Sequence, residues 1–296
     1  MRQTSRVTSA AAATRGFDDP SSSAVFFHAH PDDEALLTSG TMARLAAAGR
    51  RVVLVLATAG DSGLSAAALR ADGRLGDRRL AEVHASADVL GVHRVVQLGY
   101  RDSGMASDPT PVTVPGAPPR FVDADAHDAA GRLAQILVDE RAGVLTTYDA
   151  AGGYGHPDHR QVHRVGALAA RLAGSVRVLE ATLPREAIVR VLRWADRLLP
   201  LPAEFPLDEW LTAYTRQADI THRIDVGPWL RQRRASMRAH ASQATADQGL
   251  RTLGVAVRLP PPVFGWVFGA EWYREPALAG LRLPRRTTIF EPGYRR

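Results

Sequence analysis

AVFFHAHPDDEALLTSGTMARLAAAGR, residues 24–50, joins a short apolar run to a pattern that begins like a helix. Ala24–Phe27 reads as a buried strand. Pro31 falls near the start of the helix that follows, carboxylates fill its first turn, and Gly49 and Arg50 close it. The alternation then repeats. RVVLVLAT (51–58) is a near-continuous apolar run, as in a parallel strand covered on both faces. DRRLAEVHASADVLGV (77–92) is an amphipathic helix stopped at Gly91, and RVVQLGY (94–100) is a third strand. A Pro-rich loop, DPTPVTVPGAPP (108–119), leads to a helix within 123–143 and a strand, GVLTTYD (143–149). A further helix (156–174) and a fifth strand, VRVLEATL (176–183), end the regular part. Such alternation predicts an α/β, Rossmann-like, mostly parallel sheet flanked by helices.

The expected organisation is a disordered tail over 1–23, rich in Ser, Thr and Ala, and a catalytic core over 24–183. A smaller C-terminal extension, 184–296, is expected to be helical, to cap the site and to complete a substrate pocket. Within it, REAIVRVLRWADRLLP (185–200) has apolar residues at helical spacing, and LPPPVFGWVFGAEWY (259–273) reads as a cap on the core.

The 296 residues include 45% hydrophobic types, no cysteine and no lysine, so all 37 basic residues are arginine. Disulfides, thiol catalysis, a P-loop lysine and Schiff-base chemistry are therefore excluded. The net charge of +6 permits anionic partners without requiring them. RQRRASMR (231–238), the densest basic stretch, has no interleaved aromatics and reads as a solvated helix face, so nucleic acid is not expected as a partner. No apolar run approaches the roughly 20 residues of a membrane-spanning helix, and no secretory signal pattern opens the chain. A cytoplasmic protein without a membrane partner is expected.

Ligands in open parallel sheets bind beyond the carboxyl ends of the strands. Three polar clusters fall there: HAHPDDE (28–34), RDSGM (101–105) and YDAAGGYGHPDH (148–159). His30 and Asp33, three residues apart across a strand-to-helix turn, can aim at one point. His159 supplies a third ligand from a second turn of the same kind. Two imidazoles and one carboxylate with an open position suit catalytic zinc, and Fe(II), Co(II) or Mn(II) also fit that donor set. Asp32, beside a ligand but directed elsewhere, fits a general base for water that the metal activates. Glu34 is expected to support the site by hydrogen bonding. A His-Asp pair at a helix start is also a common cap; two matched His-Pro-Asp motifs favour the metal.

AHPDDE together with GGYGHPDH resembles the PIG-L/LmbE family of zinc-dependent N-acetylglucosaminide deacetylases, over about residues 24–174. RDSGM, FVDAD and TTYDAAGGYGHPDH resemble its mycothiol branch, which holds the deacetylase of N-acetylglucosaminyl-inositol and the mycothiol S-conjugate amidase. The resemblance implies zinc on His30, Asp33 and His159, with Asp32 as base. It implies that His156 steadies the developing oxyanion and assists the leaving amine, and that Tyr154 polarises the carbonyl. Arg79 and Asp102 would hold the sugar hydroxyls or inositol, although Arg79 also suits a surface ion pair with Glu82, and Asp102 a turn. The expected substrate is a small N-acyl amino sugar. TAGDSGLSAAAL (58–69) carries Asp61-Ser62 where these families commonly show a glutamate before a glycine. A phosphodiesterase would need further bridging carboxylates, and a non-catalytic sugar-binding module would not need Asp32.

Overall fold

The computed structural model describes residues 22–61, 75–105, 116–174, 176–198, 207–244 and 252–290. Residues 1–21 of the expected tail, most of the loop around Ser62–Leu69 and part of the Pro-rich loop lie outside the described residues; Ser22 and Ser23, expected in the tail, are buried, and Ser23 opens the first strand.

Five strands and their crossover helices follow the expected order: β1 (Ser23–His28), α1 (Asp33–Leu37), α2 (Ser39–Ala47), β2 (Val52–Thr58), α3 (Leu75–Leu90), β3 (Arg94–Tyr100), α4 (Ala126–Asp139), β4 (Ala142–Tyr148), α5 (Pro157–Ala173) and β5 (Arg177–Thr182). The regular pattern does not stop there. After α6 (Arg185–Leu198) and α7 (Leu207–Thr212) come β6 (His222–Asp225), α8 (Leu230–Ala239), α9 (Ala241–Ala244), α10 (Thr252–Ala256), α11 (Pro261–Phe268) and β7 (Ala270–Arg274). The seven strands form one sheet in the order β3-β2-β1-β4-β5-β7-β6. β1–β5 are parallel, and β7 runs antiparallel to both β5 and β6. Among the described residues no helix is long and apolar enough to cross a membrane.

Strand alternation builds two apolar layers. Val25, Phe27, Val53 and Val55 pack with Leu133, Leu137, Val162 and Val165 of α4 and α5. Ala24, Phe26, Leu54 and Leu56 pack on the other face with Met42, Leu45, Val83 and Tyr273. The chain leaves β1 toward β2 and β3, then returns to place β4 on the other side of β1. The crevice at the carboxyl ends of β1 and β4 is therefore the topological switch point.

The single helix expected after Pro31 is two helices, broken at Thr38 (φ −137°, ψ −1°). The Thr38 hydroxyl lies 2.8 Å from His28 Nε2, a tertiary contact that periodicity cannot register. The opened N-terminus of α2 presents the Gly40 and Thr41 N–H groups to the Glu271 carboxylate of β7, each at 2.8 Å, where an anion also complements the helix dipole.

The basic stretch of α8 corrects its sequence reading. It is not simply a solvated face: Arg233 is 2% exposed, and its guanidinium pairs with Glu271 and bonds the Leu36 carbonyl. The pairing carboxylate lies 38 residues downstream, so the local charge run gives no sign of it. In α11, Phe264 is buried with Ala35 and Met237, while Trp266 points outward.

Gly166 sets how closely α5 lies on the sheet. A Cβ there would come within 2.3 Å of Thr147 Cγ2, on a buried β-branched side chain with little freedom to yield. Gly166→Ala is expected to destabilise the fold by about 1–3 kcal/mol, measured by denaturant unfolding; unchanged stability would show that α5 lifts freely.

Candidate metal centre and active site

The residues that meet at the switch point come from the two His-Pro-Asp turns. β1 delivers His30, and the turn after it places Asp33 in the first turn of α1. The Asp33 carboxylate accepts the His30 N–H (3.0 Å) and lies 3.4 Å from His30 Nδ1 through Oδ2 and 3.4 Å from His159 Nε2 through Oδ1. His159 enters from the first turn of α5, with its ring stacked on Tyr148 (4.2 Å between centroids, 13°). Tyr148 is fixed from behind, since its hydroxyl lies 2.8 Å from His28 Nδ1. Burial pushes the His28 imidazole down to about 4, so it is neutral there.

His156 is the N-cap of α5, and its Nδ1 accepts the Asp158 N–H at 3.1 Å. The ring proton therefore sits on Nε2, which makes this atom a donor. Burial, then the neighbouring His30, lowers the His156 imidazole to about 3. Asp158, fully buried, accepts from the Ser103 N–H (2.9 Å), the Ser103 hydroxyl and His30 Nε2 (3.1 Å). With its Nε2–H given to Asp158, His30 turns the Nδ1 lone pair toward Asp33, a carboxylate–histidine arrangement that orients a metal ligand.

The donor set fits a metal on three observations. His159 Nε2 is buried and has no hydrogen-bond partner. The 3.4 Å gaps from Asp33 to the two imidazoles exceed hydrogen-bond length, yet two ligands held at 2.0–2.1 Å on a tetrahedral ion stand about 3.4 Å apart. Ligand nitrogens of His30, His156 and His159 all lie within 4.8 Å of one another, as do donor atoms of His30, Asp102 and Asp158. Burial opposes the charge on Asp33, but His159 and His30 hold its carboxyl well below the usual range. Burial likewise opposes a charge on His30, and Asp102, Asp158 and Asp33 outweigh it, raising its affinity for a proton. These buried carboxylates favour a cation among them.

Asp32 stands beside this cluster with φ +112° and ψ −26°, a backbone conformation that side chains rarely adopt. The Arg79 guanidinium holds its carboxylate: Nη2 lies 3.2 Å from Asp32 Oδ2 and donates to the Pro31 carbonyl at 2.6 Å, while Nη1 donates to the Gly60 carbonyl at 2.7 Å. Arg79 is buried and does not form the surface pair with Glu82, which instead accepts from Ser242. Burial pushes Asp32 up to about 6, with Arg79 opposing. Glu34 Oε2 accepts the Asp32 N–H at 3.0 Å, so the side chain does support the turn. Asp102 lies 3.4 Å from His30 Nε2 and accepts the Gly104 N–H at 2.9 Å, which makes it a turn former beside the cluster.

The glycine loop that carries Tyr154 is organised by Asp149. Its Oδ1 accepts the Ala151 and Gly153 N–H groups, and its Oδ2 accepts the Thr182 hydroxyl. Gly152, at φ +70°, passes so close to Arg160 that a Cβ would lie 2.8 Å from its backbone nitrogen. Tyr154 presents its ring edge-on to His159 (5.2 Å) and stacks on Trp210 of α7 (6.3 Å, 13°). Burial raises its phenol well above the ordinary value, so it is a hydroxyl donor at neutral pH. Asp158, Tyr148 and Trp210 were not expected. Asp158 lies inside the quoted HPDH and repeats the spacing of Asp32; Tyr148 opens the quoted YDAAGGYGHPDH, in which Tyr154 is the tyrosine given a role, and Trp210 carries no motif.

The family described as GlcNAc-PI de-N-acetylase (PIG-L) matches residues 25–170, which span both turns. A 1D-myo-inositol 2-acetamido-2-deoxy-alpha-D-glucopyranoside deacetylase of Saccharomonospora viridis is 36% identical over 249 residues, 80% of this chain and 91% of that protein. The chain belongs to the PIG-L family. A second PIG-L relative of the same description, from Catenulispora acidiphila, is 36% identical over 85% of this chain and 87% of its own length. The likeness therefore runs well past β5. Among solved structures, the N,N'-diacetylchitobiose deacetylase of Pyrococcus horikoshii shares the fold with a TM-score of 0.51 at 21% identity, over 86% of this chain and 82% of that one.

Proposed function

We propose that this PIG-L protein is a metal-dependent N-deacetylase of an acetamido sugar, with N-acetylglucosaminyl-inositol as its substrate and zinc as its metal. The observation that carries the reading is the partnerless, buried His159 Nε2 facing Asp33, with Asp32 held beside them by Arg79. The substrate follows from the relatives' described activity and from a likeness that covers most of both chains. An Fe(II) ion would suit the same donors.

His30 through Nδ1, Asp33 and His159 through Nε2 would hold the metal. When bound, it polarises the acetamide carbonyl and supplies nucleophilic water at neutral pH. Asp32 takes the proton of the attacking water; its raised affinity, about 6, suits a base near neutrality. The oxygen that gains charge is met by the His156 Nε2–H and the Tyr154 hydroxyl. The C–N bond breaks, and the nitrogen leaves as the amine with the proton that Asp32 collected. Acetate remains. Arg79, with both Nη atoms engaged, is assigned to Asp32 rather than to the sugar; Asp102, at the edge of the cluster, is assigned to a sugar hydroxyl.

The test is amine release from N-acetylglucosamine, N-acetylglucosaminyl-inositol and a mycothiol S-conjugate, by stripped and zinc-reloaded protein. Zinc-dependent release from the inositol glycoside is the expected result. Preference for the conjugate would make the protein an amidase, and silence on all three with zinc bound would overturn the reading. Tyr154→Phe is expected to keep metal and lower kcat by about 10²-fold, the usual effect of losing one oxyanion donor; unaltered kcat would remove Tyr154 from the mechanism.

A further inference from the structure

Behind Asp32 lies a buried polar cluster that the mechanism above leaves unused. His240, where α8 meets α9, places Nε2 2.6 Å from Glu34 Oε1, and both side chains are fully buried. The Ser86 hydroxyl of α3 donates to the same oxygen at 2.8 Å. Ser86 Oγ also lies 2.8 Å from Ser236 Oγ; with the Ser86 hydrogen spent on Glu34, Ser236 is the donor in that pair. Glu34 is thus anchored twice through Oε1, and its free oxygen, Oε2, is aimed at the Asp32 N–H. Helices α3 and α8, more than 100 residues apart in sequence, converge on one carboxylate whose remaining bond goes to the base.

We propose that His240 is a positioning residue for the general base: by fixing Glu34, with Ser86 as second anchor, it holds the Asp32 backbone in the turn that directs its carboxylate at the substrate. The inference rests on reading Asp32 as the base. A residue acting only as core filling would have no reason to end its bond chain on this one amide. Asp32, at φ +112°, does not keep such a conformation unless its surroundings impose it. The Glu34 carboxylate supplies the Asp32 N–H with its partner, and Arg79 holds the Asp32 side chain independently. Two separate devices therefore fix one residue, one acting on its backbone and one on its carboxylate.

The test compares His240→Ala and His240→Gln with the parent protein. Metal stoichiometry, KM and kcat for amine release are read, together with the Asp32 φ angle in crystals of the unreloaded proteins. The expected result is His240→Ala with full metal stoichiometry, KM within about threefold and kcat lower by about 10²-fold, the scale of a 1 Å misplacement. Its Asp32 turn should relax away from +112°. Glutamine, which keeps a donor toward Glu34, should restore most of kcat and the turn. Unchanged kcat, a kcat loss that tracks metal loss, or an unmoved Asp32 in the alanine variant would each overturn the proposal. Should the alanine variant fail to fold, His240→Asn replaces it under the same readings. If the parent protein releases no amine from any substrate, the proposed function falls, and the Asp32 angle still decides whether His240 holds the turn.

Discussion

Asp32→Ala is expected to bind its metal at parental stoichiometry and to lose hydrolysis by about 10²–10⁴-fold in kcat, the usual contribution of a positioned general base. The hydrogen bond and ion pair of Asp32 go elsewhere than the three groups assigned to the metal: its carboxylate meets Arg79 and its N–H meets Glu34, while Asp33 and His30 act on it only through their charge. The backbone complicates the choice of variant. At φ +112° an alanine is disfavoured, whereas asparagine tolerates positive φ better. Asp32→Asn therefore separates the two effects, because it keeps the turn and removes the base. Both variants should be inactive, and the asparagine one should unfold closer to the parental midpoint. Full activity in either would end the assignment of Asp32.

The second large effect is on the metal itself. His159→Ala should reduce bound metal to near zero in elemental analysis after dialysis, and His30→Ala should do the same. His159 has no hydrogen-bond partner at Nε2 to lose; its removal costs the ring contacts with Tyr148 and Tyr154, the buried volume and the charge that faces Asp33. His156 makes the comparison decisive. It belongs to the same three-histidine cluster by distance, yet its Nδ1 is engaged by the Asp158 N–H and its Nε2 carries the proton. His156→Ala should therefore keep metal and lose rate. Metal loss in His156→Ala with retention in a variant of Asp33 would exchange their roles.

Much of this arrangement is legible in the sequence, for physical reasons. The five parallel strands are buried on both faces, so they read as apolar runs. The first HPD turn follows such a run closely and the second follows one after the short glycine loop 149–155, and the rule of strand carboxyl ends then brings His30, Asp33, His156 and His159 together without coordinates. What escapes is what depends on partners far along the chain. HRID and AEWYR are too short to show alternation; AEWYR joins the sheet by pairing with β5, about 90 residues upstream, and HRID by pairing with AEWYR itself. Arg79 and Arg233 look like surface charges because nothing nearby in sequence announces Asp32 or Glu271 as partners. His240 sits in AHASQ, a string without metal spacing, and only its contact with Glu34 gives it meaning.

The position of β7 has a consequence for how the chain is made. This strand is the last of the seven in sequence, yet it lies between β5 and β6 and also carries the carboxylate that caps α2. During synthesis, β6 has no edge to pair with until residues 270–274 emerge, and α2 waits as long for its cap. Sheet completion is thus a long-range closure, slow by its loop entropy, and it comes after both HPD turns have been translated. A nascent chain made as far as β5 still has an open β5 edge and unpaired α2 amides, so both HPD turns exist on the ribosome before the strand that braces the sheet around them.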